Sequence, residues 1–323
     1  MIRSDCFDVY YDSLTEADWF SSLHPAFDID INRYHVIERR GNNTPLVDSI
    51  TEYDKPDIIL VKNNVPLLVI EITQEVPTGH NVGQRFARLV RAIELGIPTI
   101  YYFPFDAKKH GEYAGICNLN IRLLDAAKKI FEIHDTPLLC VNWPTDRNGE
   151  IIVDGSENDV IKYILKSYVE SGFNKKCDGM MRQLNYMNAE YARRLAVRPS
   201  YATLPPSVTS MRTSAFVRQF GIGDAPDSFL DRPLTYIYRM DMTPEKCKRQ
   251  DPYTGTAFIY DYVVCRTGPD VSEKENNLVL YFPNLTVDTW MAKNPNDLTT
   301  KSCNWYLTAN AFVLKDGVIW VRG

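Results

Sequence analysis

Two acidic residues, Asp57 and Glu71, each lie in a run of apolar residues, and a short polar stretch separates the two runs. Such runs predict two β-strands joined by a hairpin turn at Asn63-Asn64. The hairpin would bring the two carboxylates close together, and paired carboxylate oxygens are ligands that Mg²⁺ and Mn²⁺ prefer. A divalent ion held in this way polarises a phosphate group and lowers the pKa of a bound water. The pair is therefore the candidate metal site of the chain.

The same segment carries a family motif. Pro56 and Asp57, followed after a spacer by Glu71, resemble the Pro-Asp … Asp/Glu-x-Lys motif of the PD-(D/E)XK nuclease superfamily. The resemblance covers about residues 50–105, with Thr73 where the motif has its lysine. It implies an α/β fold with a mixed-sheet nuclease-like core, a Mg²⁺ or Mn²⁺ ion bound by Asp57 and Glu71, and hydrolysis of DNA.

Thr73 leaves the predicted site without the positive charge of a lysine, because a hydroxyl group donates a hydrogen bond but carries no charge. It follows Glu71 by two residues, so the two side chains would share one face of the strand. Gln84 and Arg88 lie four residues apart on the next predicted helix and would share a helix face. We therefore expect a catalytic set of Asp57, Glu71, Thr73, Gln84 and Arg88.

Other residues could supply the missing charge or a further ligand. Arg85 and Arg91 recur with Arg88 at every third position, and Lys62 lies on the predicted hairpin. A solvated basic helix face is the alternative interpretation of the arginines. Glu52 is a candidate for an extra carboxylate, because the superfamily often draws a Glu from the helix before its core.

The elements around the pair fit the same core. Strands over about 57–62 and 66–73 are followed by a helix over 80–95, which Gly96 closes, and by a strand over 98–103. A strand, a helix and a second strand in this order predict a βαβ unit. The strand after the helix should therefore pair in parallel with the second strand of the hairpin.

The character of the chain changes near residue 171, which predicts two domains, 1–170 and 171–323. The nuclease-like domain would be completed by a helix over 119–133, a strand over 138–143 and a helix over 157–170. The second part begins with a basic helix over 180–197. It continues with strand-like segments that include 257–265, 278–282 and 305–314, so a β-rich C-terminal region is expected.

Basic residues in the second part are candidates for contacts with double-stranded DNA. Residues 174–218 contain eight Lys and Arg residues but only two acidic ones. Arg193 and Arg194 in this stretch would contact phosphates, although a solvated basic helix is equally compatible with the composition. Arg249 and Gln250 could contact guanine and adenine edges, and an ordinary β-turn is the alternative there.

The composition limits the class of protein. The chain has 323 residues, 45% of them hydrophobic and 24% charged, with a net charge of −5, as in soluble globular proteins. No apolar run is long enough to span a bilayer. The seven cysteines are scattered without a C-x-x-C pair, which argues against a zinc site or a disulfide framework. We expect a cytoplasmic protein with reduced thiols and no membrane partner.

Two functions from different classes remain open at this stage. The resemblance favours a Mg²⁺-dependent DNA endonuclease, most similar to type II restriction enzymes, because a nuclease core is joined to a large extra region that could read sequence. Resolvases, repair nucleases and transposase subunits of the same superfamily are also compatible. The alternative is a catalytically weak or inactive protein with the nuclease fold that binds nucleic acid or a partner subunit. A homodimer is one option for the oligomeric state, which stays open.

Overall fold

The computed structural model describes residues 7–27, 33–38, 41–77, 79–110, 115–202, 208–244, 276–292 and 305–321; for 33, 79–84, 86, 87 and 305 it describes the backbone alone. The chain forms two compact units, Met1–Ala202 and Thr203–Gly323. The candidate catalytic residues all belong to the first unit.

A six-stranded mixed sheet forms the centre of the first unit. Its strands are β1 (Phe7–Tyr11), β2 (Arg33–Val36), β3 (Ile58–Lys62), β4 (Val65–Ile72), β5 (Thr99–Phe103) and β6 (Leu138–Asn142). They lie in the order β2-β1-β3-β4-β5-β6. β4, β5 and β6 run parallel, whereas β3 is antiparallel to both β1 and β4. The expected α/β class and mixed sheet are thus confirmed.

The hairpin between β3 and β4 turns at Asn63-Asn64, as the sequence predicts. Both residues have positive φ angles, 52° and 62°, which is the backbone of a two-residue type I′ turn and which asparagine tolerates well. Ile58 pairs with Ile70 across the hairpin. This register fixes which residues at the far end of the two strands face each other.

Helices cover the sheet of the first unit. They are α1 (Leu14–Ser22), α2 (Pro45–Ile50), α3 (Gly79–Glu94), α4 (Asn120–His134), α5 (Asp159–Glu170) and α6 (Asp178–Val197). α3 is the crossover helix of the βαβ unit and packs on β4 and β5. It buries Leu89, Val90 and Ile93 against the sheet and ends before Gly96, whose φ of 79° reverses the chain. The buried face of α3 therefore fixes the position of its arginines.

The boundary between the units differs from the predicted one after residue 170. α6 packs against α4, α5 and β6, and its Met180, Leu184 and Met187 are buried. The helix that was expected to begin the second domain is thus part of the first, because its apolar face is needed to cover the β6 side of the sheet. The first unit accordingly ends at Ala202.

The second unit contains a five-stranded sheet in the order β11-β10-β9-β8-β7. Its strands are β7 (Val208–Arg212), β8 (Leu234–Arg239), β9 (Asn277–Phe282), β10 (Ala311–Leu314) and β11 (Val318–Trp320), and its helices are α7 (Thr213–Gln219), α8 (Asp227–Leu230) and α9 (Val287–Met291). β8, β9 and β10 are parallel, and the two outer strands are antiparallel to their neighbours. The predicted β-rich region is therefore a mixed sheet with helices.

Several expectations need correction. Residues 7–11 and 33–36 form strands where a mere lead-in was expected, because they complete the sheet beside β3. Residues 305–308 form a 3₁₀ turn ahead of β10, so the strand predicted over 305–314 is shorter. The strand predicted over 257–265 lies outside the described residues.

No helix in the described part of the chain is long and apolar enough to cross a membrane. Three cysteines lie in that part, Cys117, Cys140 and Cys177, and each is a free thiol.

Candidate active site

The hairpin brings the two predicted carboxylates together. The register places Asp57, the residue before β3, opposite Glu71 near the end of β4. The Asp57 carboxylate accepts a hydrogen bond of 2.6 Å from the backbone N–H of Ile72, which locks its side chain across the strand pair. Both residues are buried, with exposed fractions of 5% for Asp57 and 0% for Glu71. Two carboxylates buried this closely require positive charge nearby.

Two guanidinium groups of α3 supply that charge. Nη1 of Arg85 donates to Oε1 of Glu71 at 2.5 Å, and Nη1 of Arg88 donates to the same oxygen at 2.8 Å. The second oxygen, Oε2, is buried and has no hydrogen-bond partner among the described residues. One Glu71 oxygen is thus doubly paired, and the other is left available to a ligand.

The two arginines extend the network in different directions. Nε of Arg88 donates to Asp54 at 3.1 Å, so this guanidinium bridges two carboxylates. Nη1 of Arg85 also reaches the carbonyl oxygen of Ile72 at 3.3 Å, and its Nη2 lies 3.8 Å from the exposed Glu75 carboxylate. The side chains of Arg85 and Arg88 are 15% and 22% exposed, so both guanidinium groups lie at the edge of the buried site.

Arg91, one turn further along α3, belongs to a separate cluster. Its guanidinium lies 2.8 Å from Glu52 and 3.2 Å from Glu94, and Tyr53 donates to Glu94 at 2.5 Å. Glu52, the predicted additional carboxylate, is therefore paired with Arg91, and nothing in the described contacts brings it to Glu71.

The electrostatics of the site follow from burial. Burial and the negative charge of Glu71 raise the pKa of Asp57 well above its ordinary value. Burial also raises the pKa of Glu71, although Arg88 and Arg85 offset part of that rise. Burial alone would lower the pKa of both arginines, but the combined charges of their acidic neighbours, Glu71 foremost, outweigh it and raise the pKa. The site therefore keeps both guanidinium groups charged and favours the protonated, neutral form of Asp57.

Thr73 lies directly after β4 and is buried, with 7% of its surface exposed. Its Oγ1 accepts a hydrogen bond of 3.1 Å from the backbone N–H of Glu75, and its own N–H donates to the carbonyl oxygen of Tyr102 at 3.0 Å. The hydroxyl thus caps the turn that leaves the strand. Because Thr73 is buried, its position leaves little room for a longer side chain such as lysine.

The remaining candidates are placed as follows. Gln84 is part of α3, but its side chain lies outside the described residues. Lys62 is at the opposite end of β3 from Asp57 and lies over the rings of Phe7 and Phe173, 5.2 and 5.8 Å from their centroids. It is therefore remote from the carboxylate pair.

Two members of the site were missed or ranked too low by the sequence. Asp54 was one of several acidic residues upstream, and nothing in its local pattern separated it from Glu52. Arg85 was only one alternative, although it makes the shortest contact with Glu71. The spacing of Arg85, Arg88 and Arg91 was the available signal, and the structure shows that the first two face Glu71.

The two carboxylates could hold a divalent ion. Oxygen ligands suit Mg²⁺ and Mn²⁺, and the unpartnered Oε2 of Glu71 beside the Asp57 carboxylate is a suitable pair. No group of three or more acidic, His or Cys side chains in the described part of the chain forms a ready-made metal cluster. The two carboxylates therefore suit an ion that has two protein ligands and retains several water ligands, as Mg²⁺ commonly does.

The predicted DNA-contact residues have distinct environments. Arg193 is exposed and paired with both oxygens of Glu190, at 2.8 and 2.5 Å. Arg194 is buried between Glu190 and Asp106 and lies over the Phe105 ring. As placed, Arg194 is not available to an external phosphate. Arg249 and Gln250 lie outside the described residues.

No protein-family model matches the chain, and neither a curated protein nor a solved structure shows significant similarity to it.

Proposed function

We propose that this protein is a metal-dependent deoxyribonuclease that cleaves phosphodiester bonds in double-stranded DNA, of the kind found in type II restriction enzymes. The observation that carries the proposal is the opposition of Asp57 to a fully buried Glu71 that has one oxygen without a partner. Burying an unpaired carboxylate oxygen is costly, and a bound cation would remove that cost.

Asp57 and Glu71 would hold a Mg²⁺ or Mn²⁺ ion, and the ion would supply polarisation of the scissile phosphate and an activated water. The chain's own contribution is preorganisation. The Ile72 N–H fixes the Asp57 carboxylate, and Arg85 and Arg88 orient the Glu71 carboxylate and offset part of the effect of burial on its pKa. The partly exposed side chains of Arg85 and Arg88 also provide positive charge that could contact a phosphate.

A second function has its own supporting observation. Both guanidinium groups are engaged with Glu71, and Thr73 is committed to the Glu75 turn. Without a free cation in the lysine position, a protein of this fold could bind DNA or a partner subunit without cutting. The observation that separates the two functions is therefore cleavage itself.

The test is incubation of the full chain with mixed plasmid DNA and Mg²⁺ or Mn²⁺, followed by electrophoresis. Discrete fragments support a restriction enzyme, and a smear supports a nuclease without sequence preference. Intact DNA with a mobility shift favours the binding function. Asp57→Asn should remove any cleavage. Asp125→Asn, which changes a buried carboxylate paired with Lys129 on α4, is the matched control and should not.

A further inference from the structure

An open cleft of about 400 Å³ lies beside the C-terminal end of α6. This volume is in the range of small-ligand sites. Arg198 and Val197 line one side, and Lys108, Ile116 and Ile121 line the other. The cleft thus combines cationic groups with apolar side chains, which suits a ligand that has an anionic part and an apolar part.

The cations of the cleft fall into two classes. Arg193 and Arg194 are neutralised by Glu190 and Asp106, as described above. Lys108 and Arg198 are exposed, and neither forms an ion pair within the described part of the chain. These two side chains carry the positive charge that an incoming anion would meet.

Lys108 is held in place by its packing. Its backbone N–H donates to the carbonyl oxygen of Gly149 at 3.2 Å, and its side-chain stem crosses Gly149 closely. A β-carbon at 149 would lie 2.8 Å from Cγ of Lys108, closer than non-bonded carbon atoms approach. Gly149 also has a φ of 90°, which favours glycine. The absence of a side chain there allows Lys108 to lie across the loop and reduces the entropy lost on binding.

The cleft and the carboxylate pair occupy the same edge of the sheet. β4, β5 and β6 are parallel, so their carboxyl ends coincide, and Glu71 lies at that end of β4. Arg194 beside the cleft reaches the carbonyl oxygen of Phe105, two residues beyond β5, and Asp106 N–H donates to Asn142 at the end of β6. β4 and β6 are two strand spacings apart, about 10 Å. A single nucleic-acid strand is long enough to contact both places.

From these observations we propose that the cleft binds a phosphate of the same DNA strand whose scissile phosphate lies at Asp57 and Glu71, with Lys108 and Arg198 as its cationic contacts. The exposed apolar side chains of Ile116 and Val197 would face the sugar of the bound nucleotide. The proposal rests on the proposed function for its ligand, but it concerns binding alone. Lys108 and Arg198 thus take the role of phosphate contacts that the sequence predicted for Arg193 and Arg194.

The experiment measures binding of a short fluorescent DNA duplex to the full-length protein in EDTA, where no divalent ion supports cleavage. The affinity is determined between about 50 and 200 mM salt, because each lost phosphate contact reduces the salt slope by about one. Lys108→Ala/Arg198→Ala should lower the affinity at least about tenfold and, because one phosphate contact is lost, the slope by about one. Lys108→Arg/Arg198→Lys, which keeps both charges, should retain most of the slope.

Lys128→Ala/Arg147→Ala removes the same charge from two exposed positions outside the cleft and is the matched control. An equal loss in this control, or an unchanged slope in the cleft variant, would overturn the proposal. Saturable binding of a mononucleotide or inorganic phosphate without duplex binding would also overturn it. A failure of the Mg²⁺ cleavage test leaves this binding measurement unaffected, so the two proposals can fail separately.

Discussion

Nη1 of Arg88 lies 2.8 Å from Oε1 of Glu71 in a site from which water is largely excluded. A crossover helix thus delivers a positive charge to a carboxylate on the neighbouring parallel strand. Thr73 cannot supply such a charge. Arg88, one of the two residues expected from the sequence to compensate for the missing lysine, therefore contacts the candidate site, and Arg85 lies beside it.

The first prediction concerns the carboxylates. Asp57→Asn and Glu71→Gln should each reduce DNA cleavage by at least about a thousandfold, since removing a ligand's charge weakens the metal that stabilises the transition state. Cleavage rates in Mg²⁺ measure the effect. Circular dichroism checks that each variant is folded, and Asp125→Asn is the control for loss of a buried carboxylate. Near wild-type rates in a folded Asp57→Asn protein would remove Asp57 from the site.

The second prediction concerns Arg88. Arg88→Ala should destabilise the protein by about 3–5 kcal/mol, because it leaves the buried Glu71 and the partly buried Asp54 with less compensating charge. The loss should be smaller when Glu71→Gln is present as well. Urea unfolding of the two single variants and the double variant gives this coupling energy. Strict additivity would show that the Arg88–Glu71 contact contributes nothing to folding.

The local features of this site were accessible from the sequence. The asparagine turn, the apolar runs around Asp57 and Glu71, and the spacing of Leu89, Val90 and Ile93 determined the hairpin and the helix through short-range rules. The strand after α3 had to be parallel to β4, because a crossover helix separates the two. Local sequence patterns were therefore sufficient to predict that the two carboxylates lie close together.

Long-range packing was not accessible in the same way. The ion pair between Arg88 and Asp54 depends on the angle at which α3 crosses the sheet. No periodicity in the sequence predicts that angle. The polar surface of α6 suggested a separate basic helix, whereas Met180, Leu184 and Met187 on its other face bind it to the first unit. The ion pair between Arg194 and Asp106, 88 residues apart in the chain, required the tertiary structure.

The third prediction concerns Thr73. Thr73→Val keeps the side-chain shape but loses the hydrogen bond to the Glu75 N–H, so it should cost about 1–2 kcal/mol of stability and leave cleavage nearly unchanged. Thr73→Lys should be more destabilising, because the site is buried. Thermal unfolding and cleavage rates of the two variants decide this. A large loss of cleavage in a stable Thr73→Val protein would instead assign the hydroxyl a direct role.

The fourth prediction concerns the pH dependence that Asp57 imposes. Its pKa is higher in the folded protein than in the unfolded chain, so ionising it as the pH rises costs folding free energy. Asp57→Asn removes this cost while keeping an oxygen for the Ile72 N–H. The variant should have the same stability as wild type below about pH 3.9, the ordinary Asp pKa. As the pH rises above this value, the variant should become more stable than wild type by a growing margin. Melting temperatures in EDTA measure the difference, and a constant offset would contradict it.

The last prediction concerns Glu190, whose pKa is shifted in the opposite direction. The hydrogen bonds from Arg193 and Arg194 hold this pKa below its ordinary value against the opposing effect of burial. The ion pairs therefore stabilise the fold fully above the ordinary Glu pKa of about 4.3, and that stabilisation is lost as the pH falls through the folded value. Glu190→Gln should cost about 1–3 kcal/mol at pH 7 and almost nothing at the acid end of the folded range.

Urea unfolding at several pH values measures the Glu190 effect. Glu132→Gln, an exposed change on α4, is the matched control and should have little effect at any pH. The same Glu190→Gln protein also frees Arg193, which then has no acidic partner among its described contacts. If the cleft beside α6 binds phosphate, this variant should bind the DNA duplex more tightly than wild type with a steeper salt slope. Weaker binding by a folded Glu190→Gln protein would mean that Glu190 positions the cleft and does not merely neutralise its arginines.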